Sequence, residues 1–71
     1  MDMIANLRAF LAVSRYGSFS EAARQLNVVP SVAAKRVTQL EHTVGLRLFE
    51  RSTRKVALTE AGEKFQGRAR S

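Results

Sequence analysis

The stretch from residue 27 to residue 45, which reads NVVPSVAAKRVTQLEHTVG, constrains the fold of this chain more than any other. Its apolar residues recur at the i, i+4, i+7 and i+11 spacing of one helical stripe, at Ala33, Val37, Leu40 and Val44. Polar and basic side chains lie outside that stripe: Ser31, Lys35, Arg36, Thr38 and Gln39. The pattern predicts one helix of about four turns, buried on one face and cationic on the other. Such a helix suits insertion into a DNA groove.

The signals at the ends of this helix are those of a helix-turn-helix. Pro30 suits the first helical position, where its missing N–H is not needed, and Gly45 marks the end. A short helix reading EAARQL precedes it, and the adjacent Ala22 and Ala23 let another helix cross closely. Asn27 lies where the turn requires a residue that tolerates left-handed backbone. Helical hairpins with small residues are also common in ordinary bundles, so both interpretations stay open at this point.

The residues before that pair of helices predict a first helix over residues 3–16. Asp2 can cap its start, and Gly17 ends it with a positive φ. The predicted buried stripe of this helix consists of Ile4, Leu7, Phe10, Leu11 and Ser14. The next helix has two candidate caps. Ser18 has capping-box spacing to Glu21, and Ser20, two residues after Ser18, is the alternative cap.

Two short alternating stretches follow the basic helix, at residues 46–49 and 55–58. Their apolar members share one side: Leu46, Leu48, Val56 and Leu58. The run between them, ERSTR at residues 50–54, is polar and predicts the tip of a two-stranded hairpin, which is a wing in this position. The tip and its base carry three cations, Arg51, Arg54 and Lys55. Cations on a thin loop can approach phosphates or enter a narrow minor groove, although each one alone is equally compatible with a solvated surface charge.

A last helix is predicted after the hairpin. Thr59 can cap it, and Glu60 in its first turn is favourably placed against the helix dipole. Its apolar stripe is thin and consists of Ala61, Phe65 and Ala69. Gly62 and Gly67 weaken the helix further, so we expect it to need another surface for support. The sequence ends without a capping signal, and we expect it to stop within this helix.

Composition narrows the classes of function. The chain has no cysteine, which excludes disulfides and thiolate metal sites, and one histidine, His42, cannot build a metal site alone. We therefore interpret His42 as a solvent-facing residue of the helix. The sequence has no paired carboxylates in a plausible cleft and no glycine-rich phosphate loop. We expect neither an enzyme nor a bound cofactor in this chain.

The charge balance indicates the kind of partner. The formal net charge is +6, from 12 Lys and Arg against 6 Asp and Glu, which favours a polyanion such as nucleic acid or an anionic membrane. The excess is concentrated from Lys35 onward, with nine basic residues against four acidic ones. The longest apolar run is too short to span a bilayer, and the first residues, MDMIANLRAF, do not form a secretion signal. We expect a cytoplasmic protein.

Three segments of the chain resemble a known family: GSFSEAARQLNV, then QLEHTVGLRLFER, then VALTEAGE. The most specific pieces are Ala22-Ala23, Leu40-Glu41, Gly45 with Leu48-Phe49-Glu50-Arg51, and Leu58-Thr59 with Ala61-Gly62. From about residue 4 to residue 65 the chain is similar to the N-terminal DNA-binding domain of LysR-type transcriptional regulators.

The resemblance implies a mainly α fold, a winged helix-turn-helix with a three-helix core and a two-stranded hairpin over residues 1–58. It implies that residues 59–71 begin a linker helix that pairs two subunits. Family members carry a further domain that senses a small-molecule effector, and we expect that domain to lie outside this chain. We expect a homodimer or higher homo-oligomer for the full-length protein and a monomer or weak dimer for this piece. The implied partner is double-stranded DNA of a bacterial genome, with residues 30–44 in the major groove and residues 50–55 at the flanking minor groove.

One departure from the family pattern bears on which bases are read. The family often begins its recognition helix with Ser-Gln, where this chain has Val29 and Pro30, and has Ser-Arg one turn later, where this chain has Ala34 and Lys35. The side chains of Val29 and Pro30 cannot hydrogen-bond to bases, so direct readout must shift to other residues. The candidates for base contacts are Ser31, Val32, Lys35 and Arg36, with Val32 suited to a thymine methyl group. The candidates for contacts to the DNA backbone are Ser18, Ser20, Thr38, Gln39, Arg51, Ser52, Thr53, Arg54 and Lys55.

The alternative is a winged helix that serves as a protein-interaction or dimerisation module and does not bind DNA. Its mark would be an apolar exposed face on the third helix. The Lys35-Arg36 pair on that face disfavours it.

Overall fold

Four helices and one two-stranded hairpin make up the fold in this computed structural model, which describes residues 2–50 and 56–70. The elements are α1 (Met3–Tyr16), α2 (Phe19–Leu26), α3 (Pro30–Val44), β1 (Phe49–Glu50), β2 (Ala57–Leu58) and α4 (Glu60–Arg70). The first three helices pack on one another, and the hairpin and α4 close the other side of the core. The predicted winged helix-turn-helix with a three-helix core is confirmed.

The helix ends lie where the local signals predict them. The Asp2 side chain accepts a hydrogen bond from the N–H of Ala5 at 3.2 Å and so caps α1. The Ser18 hydroxyl caps α2 by accepting from the N–H of Glu21 at 3.1 Å, whereas Ser20, the alternative cap, lies inside the helix. As a result α2 begins at Phe19, two residues before the predicted EAARQL segment. Local hydrogen bonding therefore decides these boundaries.

Left-handed backbone ends the first three helices. Gly17 and Gly45 have φ values of 67° and 71°, and Asn27 has a φ of 59°. The N–H of Gly17 donates to Val13 O, and that of Gly45 donates to Glu41 O. Glycine and asparagine are the residues that adopt this conformation at least cost, so all three predicted ends are confirmed.

The buried stripe of α1 differs from the predicted one. Its buried residues are Asn6, Ala9, Phe10 and Val13, which have the i, i+3, i+4, i+7 spacing of a helical face. Ile4 lies almost opposite that face and is 66% exposed, so its predicted burial is wrong. Leu7 and Leu11 lie on the flank and are partly buried. The prediction gave weight to large apolar side chains, whereas the closely packed face of α1 uses Asn6 and the small Ala9.

An aromatic cluster joins the helices to the hairpin and to α4. The ring of Phe10 lies 5.3 Å from that of Phe49 and 5.4 Å from that of Phe65, measured between centroids. Phe19 contacts Phe49 with its ring centroid at 6.1 Å. These tilted and edge-on geometries are the favourable ones for aromatic pairs. Phe65 thereby supplies the support that the thin stripe of α4 was expected to need.

The hairpin is shorter than predicted. β1 and β2 pair antiparallel with Phe49 opposite Leu58 and Glu50 opposite Ala57, so Glu50 belongs to a strand and not to the tip. Leu46 is 47% exposed, which makes its predicted place on the buried side wrong, while Leu48 and Phe49 are both buried although they are adjacent. The strand alternation fails here because the backbone before Phe49 is irregular and is held by side chains rather than by a strand partner. Residues 51–55, which include the predicted tip cations, lie outside the described residues.

Candidate nucleic-acid interface

The helix α3 is fixed to the molecule by its apolar face. Ala33, Val37 and Leu40 are fully buried, and Val44 packs against the core from its edge. On the facing helix α2, Ala22 and Ala23 are also buried. Two small side chains at this crossing allow the backbones of α2 and α3 to approach closely. The predicted stripe of α3 is confirmed, and the opposite side of the helix faces outward as a consequence.

The outward side of α3 carries the predicted polar and basic residues. Ser31, Lys35 and Thr38 are exposed, and Val32, Arg36 and Gln39 are half-buried beside them. No acidic residue precedes Glu41 in this helix. The first three turns therefore present hydroxyl, amide and cationic groups without a nearby carboxylate on the same helix. Such a surface is suited to a partner that has negative charge and hydrogen-bonding groups.

The start of α3 lacks a polar cap. Val29 is the N-cap residue, and its side chain makes no capping hydrogen bond. Its carbonyl accepts from the N–H of Val32 at 3.0 Å, so the first turn is closed by backbone alone. The Val29 side chain is 58% exposed. An exposed apolar side chain thus stands at the N-terminal end of the polar surface.

The N-terminal end of α2 carries the two predicted serines. The Ser18 hydroxyl is engaged as a helix cap and is half-buried, whereas Ser20 is exposed in the first turn of α2. Ser20 is therefore the more accessible hydroxyl of the two. The capping bond of Ser18 uses its oxygen as acceptor and leaves its O–H as a donor.

Glu41 connects α3 to the hairpin, a role that the sequence reasoning missed. Its Oε2 atom accepts hydrogen bonds from the N–H groups of Leu48 and Phe49, at 2.8 Å and 3.2 Å. The carbonyl of Leu48 accepts in turn from the N–H of Thr59 at 3.0 Å. A carboxylate in the last turn of a helix is disfavoured by the helix dipole, so its presence there was a signal that another interaction holds it. The bonds to Glu41 fix the hairpin relative to α3.

Metal binding and membrane insertion find no support in the described part of the chain. Within residues 2–50 and 56–70, no group of three or more His, Cys, Asp or Glu side chains is arranged to hold a metal ion. None of the helices in those ranges combines the length and the apolar character that a bilayer crossing requires.

The fold has three packed helices, the third of which has a basic outward side and a hairpin fixed to its end. These features define a winged helix-turn-helix domain. The model of the family described as "Bacterial regulatory helix-turn-helix protein, lysR family" matches residues 4–63. The chain belongs to this family, and the resemblance noted in the sequence is confirmed.

Curated relatives are described as HTH-type transcriptional regulators. The chain is 46% identical over 69 residues to an uncharacterized HTH-type transcriptional regulator in the ibpB-leuC intergenic region of Azotobacter vinelandii, covering 97% of this chain and 47% of the relative. It is 38% identical over 65 residues to the HTH-type transcriptional regulator DmlR of Escherichia coli (strain K12), covering 92% of this chain and 21% of the relative. The chain thus spans about half or about a fifth of the length of these relatives.

Solved structures agree in fold. A complex of the BenM DNA-binding domain with benA site 1 DNA superposes with a TM-score of 0.89 at 33% identity, covering 97% of this chain and 76% of that one. A complex of the CbnR DNA-binding domain with DNA superposes with a TM-score of 0.88 at 36% identity, covering 99% and 79%. Both of these similar domains were crystallised with DNA.

Proposed function

We propose that this chain binds double-stranded DNA as the DNA-binding domain of a bacterial transcriptional regulator, with α3 in the major groove. The observation that carries the proposal is the division of α3 into a fully buried apolar face and an outward side whose first three turns bear Lys35 and Arg36 and no acid. The partners of the BenM and CbnR domains in the similar structures support the same class of ligand.

Direct base contacts come from the first two turns of α3. Ser31 and Lys35 are exposed there, and Val32 and Arg36 are half-buried at the edge of the same surface. A lysine can donate to guanine O6 and N7, and a hydroxyl can contact several bases, whereas an apolar side chain contacts the thymine methyl group. Arg36 contacts either a base or a phosphate.

Contacts to the DNA backbone flank the reading surface. Thr38 and Gln39 lie one turn further along α3, and Ser20 lies in the first turn of α2. Ser18 contributes its hydroxyl and the backbone near it. The remaining backbone contacts are assigned from the sequence to the hairpin and comprise Arg51, Ser52, Thr53, Arg54 and Lys55. Arg51, Arg54 and Lys55, the cations of this set, hold the flanking minor groove, where the negative potential is enhanced when the groove is narrow.

The same proposal assigns the larger architecture. Residues 1–58 form the DNA-binding unit, and α4 begins a helix through which full-length subunits pair. The small-molecule effector belongs to a domain outside this chain, and the protein works in the cytoplasm as a regulator rather than an enzyme. The curated relatives, which are longer than this chain, support this division.

Two substitutions separate the kinds of contact. A duplex is selected from a random pool, and its Kd is measured by fluorescence anisotropy against a scrambled duplex over a range of salt concentrations. Arg51→Ala should weaken both duplexes alike and lower the salt slope by about one unit. Lys35→Ala should weaken mainly the selected duplex, by roughly 1–3 kcal/mol.

Lys64→Ala is the matched control, because Lys64 is a highly exposed cation on α4, remote in sequence from α3 and paired with Glu60 at 3.7 Å. Its effect should stay below that of either test substitution. If both test variants bind duplex DNA as the parent does at low salt, the groove assignment is wrong. An NMR titration with the same duplex should move the signals of residues 31–39 and 51–55, and shifts elsewhere alone would favour a protein-interaction module.

A further inference from the structure

The exposed side chain of the valine at the start of α3 does not cap the helix. Val29 lies at the N-cap and its side chain is 58% exposed, and its carbonyl, not its side chain, accepts hydrogen bonds from the N–H groups of Val32 and Ala33. Serine, threonine, asparagine and aspartate stabilise this position, whereas valine is among the poor N-cap residues. The start of α3 is therefore less stable than it would be with one of these caps, and the two methyl groups of Val29 are exposed instead.

A second apolar side chain adjoins it. Val32 follows three residues later, which places it next to Val29 along the first turn, and it is half-buried. Pro30 between them is exposed and adds a ring without a hydrogen-bond donor. The start of α3 thus presents three apolar side chains beside one exposed hydroxyl, that of Ser31, and the cationic groups follow on the next turn.

The charges around this patch limit its partner. No acidic residue lies in the first turn of α3, and Lys35 and Arg36 follow on the next turn. A partner must combine strong negative charge with small apolar groups a few ångströms away. Duplex DNA has that combination in the major groove, where thymine alone among the four bases exposes a methyl group.

We propose that Val29, together with Val32, recognises thymine by contact with its C5-methyl group, so that Val29 is a specificity-determining residue of this domain. The inference rests on the proposed function, because it requires α3 to enter the major groove. It goes beyond it by adding Val29 to the candidate base contacts, because a side chain that cannot hydrogen-bond to a base can still contact the thymine methyl group.

Deoxyuridine provides the direct test, because it keeps every hydrogen-bonding group of thymine and lacks only the methyl. Each thymine of the duplex selected from a random pool is replaced in turn by deoxyuridine, and Kd is measured at fixed salt. For the parent chain, at least one replacement should raise Kd about four-fold, the effect of one buried methyl group.

Val29→Ser is the variant that separates binding from stability. It supplies an N-cap hydroxyl, so it should raise the Tm by about 2–8 °C, and it removes both methyl groups. The variant should bind the thymine duplex more weakly than the parent and should no longer distinguish deoxyuridine at one or more of the sensitive positions. A loss of discrimination in a more stable protein cannot come from unfolding.

Ile4→Ser is the matched control, because Ile4 is an even more exposed apolar residue but lies in the first turn of α1. It should leave the ratio of the two Kd values unchanged. If the parent binds its selected duplex but no deoxyuridine replacement raises Kd, or if Val29→Ser keeps the full discrimination, the thymine assignment is overturned and the proposed function stands. If the parent binds no duplex at low salt, both are overturned.

Discussion

Substituting Gly62 by alanine tests the contact between α4 and the start of the hairpin. A Cβ atom added at Gly62 would lie 2.1 Å from the carbonyl oxygen of Leu48 and 3.0 Å from the Leu58 Cδ2 atom. This backbone oxygen of Leu48 accepts a hydrogen bond from the N–H of Thr59 at 3.0 Å. The N–H of Leu48 in turn donates to the carboxylate of Glu41 at 2.8 Å. Because Leu48 is held on both sides, α4 itself must move.

The size of the effect follows from two opposing contributions. Alanine in a helix interior is more favourable than glycine by about 1 kcal/mol. Relief of the contact requires a displacement of about 1 Å in a closely packed region, where overpacking costs about 1–3 kcal/mol, and loss of the hydrogen bond from Thr59 to Leu48 adds about 1 kcal/mol. We expect Gly62→Ala to lower the free energy of unfolding by about 1–3 kcal/mol.

Gly67→Ala is the control, because a Cβ atom there meets nothing within 4 Å in the same helix. It should raise the free energy of unfolding by about 0.5–1 kcal/mol. Thermal and urea unfolding followed by circular dichroism measure both variants, and a change of 1 kcal/mol corresponds to about 4–8 °C in Tm for a domain of this size. If both alanines stabilise the protein equally, the close approach of α4 to Leu48 is refuted.

Two further substitutions test the other local interactions. Glu41→Gln should lower the free energy of unfolding by about 1–2 kcal/mol, because it weakens the two charge-assisted hydrogen bonds that Glu41 accepts from the N–H groups of Leu48 and Phe49. The control is Glu63→Gln at an exposed position of α4, which should change the free energy of unfolding by less than about 0.5 kcal/mol. Equal changes in the free energy of unfolding for these two variants, measured by urea unfolding, would contradict the assignment of Glu41 as the link between α3 and the hairpin. Ser18→Ala should cost about 1 kcal/mol through loss of the α2 cap, and Ser20→Ala, two residues on, should stay within about 0.5 kcal/mol. Indistinguishable Tm values for the two alanines would contradict the assignment of Ser18 as the cap.

The parts of the fold that sequence predicted well are those decided by neighbouring residues. Asp2, Ser18 and Thr59 cap helices, and Gly45 ends one, because the hydrogen bonds or backbone conformation involved depend only on the few residues around each. The spacing of apolar residues in α3 was also sufficient, because three of them are large or mid-sized and lie on one face.

The errors lie where distant segments decide burial. Ile4 was expected inside, but the face of α1 that meets α2 and α3 contains Asn6 and Ala9, whose size and polarity give no hydrophobic signal. Leu46 was expected on the same side as Leu48 but is exposed, because side-chain and backbone contacts from Glu41 and Thr59 shape the segment before β1. Such contacts join residues that a periodic pattern treats separately.

For the candidate interface, sequence was enough to find the outward side of α3 and its cations. It did not find that Glu41 couples this helix to the hairpin, because the unfavourable place of a carboxylate in the last turn indicates an interaction but does not identify the backbone N–H groups that make it. The hairpin cations at residues 51–55 remain a prediction from sequence.

The peptide group of Leu48 has a consequence for how the domain opens. Its N–H is bound by a side chain from α3, its C=O by the backbone at the start of α4, and Gly62 packs directly against it. The hairpin therefore cannot detach by fraying, since releasing β1 requires separating it from two helices that are themselves joined to α1. Local opening is cheap only where few contacts must break. The paired strands β1 and β2 and the helix α3 should thus behave as one cooperative unit, so that they unfold together and approach a surface together.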